Sequence, residues 1–134
     1  MHKLILWYRL LRKNLFFKAF IRSALVFLVI LGGWVATRNL EFPDSIELND
    51  KVKHIIVFWG FAVLIDMTSS RHPFWLWKGI PLVLYGLIIE ILQYFSPDRT
   101  FSLLDWVADI FGILLYFIVK VIIVWLDSKR NPNG

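Results

Sequence analysis

Eight polar or ionisable side chains stand inside or at the ends of long apolar stretches of this 134-residue chain: His54, Asp66, Lys78, Glu90, Gln93, Asp105, Asp109 and Lys120. Hydrocarbon is a poor solvent for such groups, so each is a candidate for chemistry until packing or capping explains it. Glu90 has no capping role, because it lies deep in a helical stretch; a carboxyl so placed suits general acid or base work, with Asp105 or His54 as partner. Arg99 and Lys51 suit a phosphate or carboxylate head group, for which an arginine offers a two-pronged fork. Gln93, Ser102, Asp50 and Asp109 complete the binding candidates.

Plainer roles compete for several of these residues. Ser102-Leu103-Leu104-Asp105 reads as a capping box, with Ser102 at the N-cap and Asp105 three residues on. Asp50 reads as the N-cap of another helix, with Lys51 as a surface partner. Arg99 is either an interfacial anchor or the counter-ion of Glu90 and Asp105. Asp66, Lys78 and Lys120 read as structural. Lys78 is expected to snorkel from near a helix start, and Lys120 either to snorkel or to mark a bend onto the membrane surface.

Spacing places the candidates on helix faces. Gly86, Glu90 and Gln93 share one stripe, so the carboxyl stands beside a glycine that admits a neighbouring backbone. Asp105, Ala108, Asp109 and Gly112 form a second, small-and-acidic stripe. Gly32 and Ala36 make a third small face, and close helix packing accounts for such glycines.

The elements that must position these stripes follow from composition. Hydrophobic residues make up 58% of the chain and charged residues 19%, against roughly 45–50% and about 25% in soluble domains. The mean hydropathy is +0.64. The apolar residues fall in four blocks, which predict an all-α integral membrane protein: a bundle of four transmembrane helices at about 21–37, 52–67, 74–95 and 102–126. The second block is the shortest, and three spans with a re-entrant segment is the alternative.

The net charge of +5 is concentrated at one end. Lys3, Arg9, Arg12, Lys13, Lys18 and Arg22 precede any acid, and the remainder sums to −1. The positive-inside rule then places both termini in the cytoplasm and sends the loops around Asp44 and Asp98 outward. Residues 1–22 read as a basic amphipathic segment lying on the inner leaflet, 23–126 as the transmembrane domain and 127–134 as a polar tail. The first block is read as an uncleaved helix in preference to a secretory signal, since Trp34-Val35-Ala36 is a poor small-residue cleavage site. Under this topology His54, Glu90, Gln93, Asp105 and Asp109 converge near the outer boundary.

Other classes are excluded. The basic tail lacks stacking aromatics on a folded surface and any phosphate loop, so no nucleic-acid partner is expected. Without cysteine there is no thiolate metal site or cysteine nucleophile. A divalent metal on Glu90, Asp105 and Asp109 is disfavoured by the single nearby histidine and the lack of an H-x-x-E motif; neither metal nor cofactor is expected.

The ordered run Glu90, Gln93, Phe95, Pro97, Arg99, Ser102, Asp105, Ala108 and Gly112, preceded by Asp50-Lys51 with His54, resembles the VanZ-like family of small bacterial membrane proteins. The family pattern is roughly E-x-x-Q-x-F-x-P-x-R-x-x-S-x-x-D, with a D-K-x-x-H element at an earlier helix start. The resemblance covers residues 50–112. Asp109 stands where the family usually has Asn, and Tyr116 where a further Gly is common. The resemblance implies a multi-pass protein of the bacterial inner membrane; the family's namesake is associated with resistance to teicoplanin. The expected function is binding of, or action on, an envelope lipid, a cell-wall precursor or a glycopeptide-type ligand, with membrane lipids as partners. The alternative is acid/base catalysis by Glu90 with Asp105 or His54 on a lipid-linked substrate. A proton-coupled carrier ranks last, because Asp66 and Lys120 lie too far from the outer group to form a relay.

Overall fold

The computed structural model describes residues 14–38, 49–69, 72–97 and 100–130. Among these the chain is all-helical, without strands. Helix α1 spans Leu15–Ala36 and opens on Asn14, whose carboxamide oxygen accepts the amides of Phe16 and Phe17 at 2.9 and 3.2 Å. The cap starts the helix earlier than hydropathy alone implies. Residues 15–20, expected in a separate interfacial segment, are already part of α1. The remainder of that segment lies outside the described residues.

Helix α2, Asp50–Thr68, also corrects a boundary. Its cap is Asn49, which accepts the Lys51 amide at 3.1 Å; Asp50 is the first helical residue and pairs with Lys53 at 3.1 Å. An asparagine one position earlier supplies the same acceptor in a β-like backbone, so Asp50 is not needed there. At 1.5 Å per residue α2 is about 28 Å long. A π-helical turn at Trp75–Gly79 leads into α3, Ile80–Tyr94. Pro81 has no N–H to return to the carbonyl one turn back, and the widened turn just before it absorbs that loss. A β-carbon at Gly79 would run into the Trp75 indole. Helix α4, Leu103–Arg130, is the longest.

The cross-helix contacts fix the relative directions. Arg22 of α1 reaches the Thr68 carbonyl at the far end of α2 (3.3 Å), so these two run oppositely. His54 meets Asp109 and Asp66 meets Lys120, so α2 and α4 run the same way. Lys78 meets Asp66 while Glu90 meets Ser102, so α3 runs against both. The core is an aromatic and aliphatic layer of Phe58, Phe61, Ala62, Phe74, Leu82 and Ile113. Phe58, Phe61 and Tyr85 stack within it at centroid spacings of 5.7–6.0 Å.

Two half-buried donors tie helices across this layer: Tyr85 donates to the Val29 carbonyl (2.7 Å) and Trp106 to the Val83 carbonyl (3.0 Å). The most extensive packing is α2 on α4, and Gly112 makes it close. A β-carbon there would strike the Ile55 carbonyl and stand 3.1 Å from the Trp59 nitrogen.

The outward faces are apolar. Phe16 is 87% exposed and Ile30 67%, and α4 exposes Ile118, Val119 and Val121–Leu126, among them Val124 at 59%. Water would make such surfaces adhesive, whereas lipid chains fit them. Three helices, Leu15–Ala36, Trp75–Tyr94 and Leu103–Arg130, are long and apolar enough to cross a membrane.

Candidate functional site

The polar residues gather in two groups at opposite ends of the aromatic layer. The first joins α2, α3 and the start of α4. His54 lies one turn into α2, Glu90 one turn from the end of α3, and Asp105 and Asp109 in the first two turns of α4. His54 Nδ1 is 2.8 Å from Asp109 Oδ1. Glu90 Oε2 accepts the Ser102 amide at 2.9 Å. One donor atom each from His54, Glu90 and Asp105 lies within 4.8 Å of the others.

Local sequence explains how the group is held. Ser102 Oγ accepts the Asp105 amide at 3.3 Å, the forward half of a capping box. Its own amide goes to Glu90, so α3 supplies a second acceptor to the first turn of α4. Gly86 opens a slot on the Glu90 face of α3: a β-carbon there would lie 2.7 Å from Asp109 Oδ2 and 3.3 Å from the Phe58 ring. The slot admits a carboxylate and a ring, where the spacing predicted a backbone.

Burial is severe. Glu90 and Asp109 are fully buried, and Asp105 keeps 16% side-chain exposure. Three carboxylate oxygens here, Glu90 Oε1, Asp105 Oδ1 and Asp109 Oδ2, are buried without a hydrogen-bond partner. Lys51 stands at the rim, 3.6 Å from Asp105.

The remaining site candidates lie elsewhere. Gln93 is half-buried and lines an adjoining cleft of about 190 Å³ between α1, α2 and α3. The cleft walls are mainly apolar (Val35, Val57, Phe61 and Ile89 among them), with His54, Lys53 and Gln93 as the polar members. Asp50 is exposed beside Lys53. Arg99, and with it the counter-ion role considered for it, lies outside the described residues.

The second group consists of residues read from the sequence as structural, whose pairing the sequence did not reveal. Asp66, 1% exposed, receives Lys78 Nζ at 2.5 Å, Lys120 Nζ at 2.9 Å and the Tyr116 hydroxyl at 2.8 Å. Lys78 also donates to the Ser69 carbonyl at 2.7 Å. Neither lysine snorkels as expected. Both turn inward, because a buried carboxylate offers a better partner than the interface can. Periodicity held the signal: 54, 58, 62 and 66 share one face of α2, and 105, 109, 112, 116 and 120 one face of α4. A stripe carrying His54 and Asp109 at one end therefore carries Asp66 and Lys120 at the other. Tyr116, which departs from the VanZ-like pattern, is the residue that adds a phenol to Asp66.

In comparisons with known proteins, no family model matches the chain, and neither a curated protein nor a solved structure does.

Proposed function

We propose that this chain is a VanZ-like protein of the bacterial inner membrane. It crosses the bilayer four times with both termini in the cytoplasm, and it binds a lipid or lipid-linked cell-wall precursor of the cell envelope at the outer leaflet. The observation that carries this reading is the pairing of the buried polar group with the apolar cleft beside it, His54 being common to both. An amphiphile has that shape. About 150 Å³ of apolar cavity holds a small hydrocarbon ring, so the cleft, at about 190 Å³, has room for the first few carbons of a lipid chain. The head group then lies against His54, Glu90 and Asp105, with Lys51 at the rim.

The order of basic loops supports the orientation, and the Glu90–Ser102–Asp105 constellation supports the family reading. A second reading, acid/base catalysis on the same ligand, is favoured by one observation: His54 is held by Asp109 at 2.8 Å, as a general base is held by its orienting carboxylate.

Native mass spectrometry in nanodiscs containing a polyprenyl-phosphate-linked saccharide tests both readings. One amphiphile per chain is expected, displaced in Val57→Trp, which fills the cleft from a half-exposed position. Glu90→Gln that binds but no longer converts the ligand marks an enzyme; Glu90→Gln that no longer binds marks a binder. Failure of the parent protein to hold the amphiphile, or indifference to both substitutions, refutes the proposal.

A further inference from the structure

We infer that His54, Glu90 and Asp105 form a binding site for one divalent first-row transition-metal ion, with Asp109 positioning the histidine. The inference rests on the same polar group as the proposed function, though not on the identity of the amphiphile.

The donor geometry comes first. Donor atoms of the three residues lie within 4.8 Å of one another. Three ligands about 2.1 Å from a common ion stand about 3.0–3.6 Å apart. Side-chain movements of about an ångström therefore close the set, and the three residues come from three different helices whose backbones already fix them.

The state of the donors points the same way. Glu90 is fully buried, yet its Oε1 has no hydrogen-bond partner, and Asp105 Oδ1 lacks one as well. Buried polar oxygens are rarely left so, and an unseen ion is a recognised reason. Among the described residues three carboxylates meet here, with one lysine at the rim, its ammonium 3.6 Å from Asp105 Oδ1, and His54 2.8 Å from Asp109. A cation bound among them neutralises charge that otherwise has to be removed by protonation.

The histidine is prepared for a metal. In the tautomer that places the proton on Nδ1, 2.8 Å from Asp109 Oδ1, the lone pair lies on Nε2. A carboxylate on the far ring nitrogen is the usual support for a metal-bound imidazole. Gly86 contributes by leaving room for that carboxylate. One imidazole with two carboxylates suits Mn²⁺ or Zn²⁺ better than Mg²⁺ or Ca²⁺, which favour oxygen throughout. Three protein ligands leave coordination positions open, and a phosphate oxygen of the head group can take one.

The test uses the full chain in nanodiscs, stripped with a chelator and free of any histidine tag, with Mn²⁺ alone as the probe and Zn²⁺ as competitor. One Mn²⁺ per chain is expected, with nitrogen hyperfine coupling from a single imidazole in pulsed electron paramagnetic resonance. His54→Gln should abolish the coupling, and Glu90→Gln should weaken binding at least as much as Asp109→Asn, expected to cost about 10–100-fold. Lys120→Met, in the other polar group, should bind normally. If Glu90→Gln does not fold, the nitrogen coupling of the parent protein compared with His54→Gln decides. Absence of stoichiometric binding, absence of nitrogen coupling, or coupling that survives His54→Gln overturns the inference. Amphiphile binding by the metal-stripped protein is measured separately, so the ion and the ligand can fail independently.

Discussion

Replacing Asp66 by asparagine should be among the most destabilising single changes in this protein, and the structure says why. Asp66 is 1% exposed and faces two ammonium groups that differ in their freedom to leave. Lys120 keeps 24% side-chain exposure and can withdraw along its stem toward the interface. Lys78 keeps 1% and cannot. Asp66→Asn therefore strands one buried ammonium, a loss of about 3–5 kcal/mol. Lys120→Met leaves Asp66 still neutralised by Lys78 and removes charged hydrogen bonds worth about 1.5–3 kcal/mol. At roughly 2–4 °C per kcal/mol for chains near this size, the unfolding midpoint should fall by about 6–20 °C for Asp66→Asn and by less for Lys120→Met. The seven tryptophans give a fluorescence readout of thermal unfolding in nanodiscs. Asp66→Asn combined with Lys78→Met should recover most of the loss, because no unpaired buried charge remains. If the two single variants melt together, or the double variant melts no higher than Asp66→Asn, the buried-ammonium account is wrong.

Gly112→Ala should push α4 off α2, since the added methyl meets the Ile55 backbone and not a movable side chain. A loss of about 1–3 kcal/mol is expected, and a melting point equal to the parent's would contradict the close approach. Four spans with cytoplasmic termini can be checked on a chain that has no native cysteine: cysteines placed at Ser45 and Asp98 should react with an impermeant maleimide from outside, and one at Ser69 should not. The reverse pattern would move the His54 group to the cytoplasmic side and remove the outer-leaflet ligand.

Much of the architecture is legible in single-helix periodicity. The stripes Gly86–Glu90 and Asp105–Asp109–Gly112 lie on faces that meet, and the Ser102 cap stands where its spacing predicts. What a lone sequence does not encode is which stripe faces which. His54 pairs with Asp109, a residue considered for ligand binding and weighed as a metal ligand, because the Gly86 slot brings that carboxylate under the α2 face. Lys78 and Lys120 resemble interfacial anchors when each helix is viewed alone. The shared direction of α2 and α4 puts Asp66 within reach of Lys120, and the opposed direction of α3 brings Lys78 to it. Asn49 outcompeted Asp50 for a cap by one residue, a margin that hydropathy does not resolve.

The parallel pairing of α2 with α4 has a consequence for biogenesis. In the proposed four-span arrangement, α2 would meet lipid before α3 and α4 have been made, with neither His54 nor Asp66 yet beside its partner. A charged side chain costs the insertion machinery about 2.5–3.5 kcal/mol at a helix centre, and less toward the ends, where Asp66 lies; among the described helices α2 is the one outside the group apolar enough to span on its own composition. On that reading α2 depends on residues made later, Lys120 among them, 54 positions downstream of Asp66. A nascent chain that ends before α4 should hold α2 at the translocon or let it slip back. The completed protein draws its last helix in to secure its second.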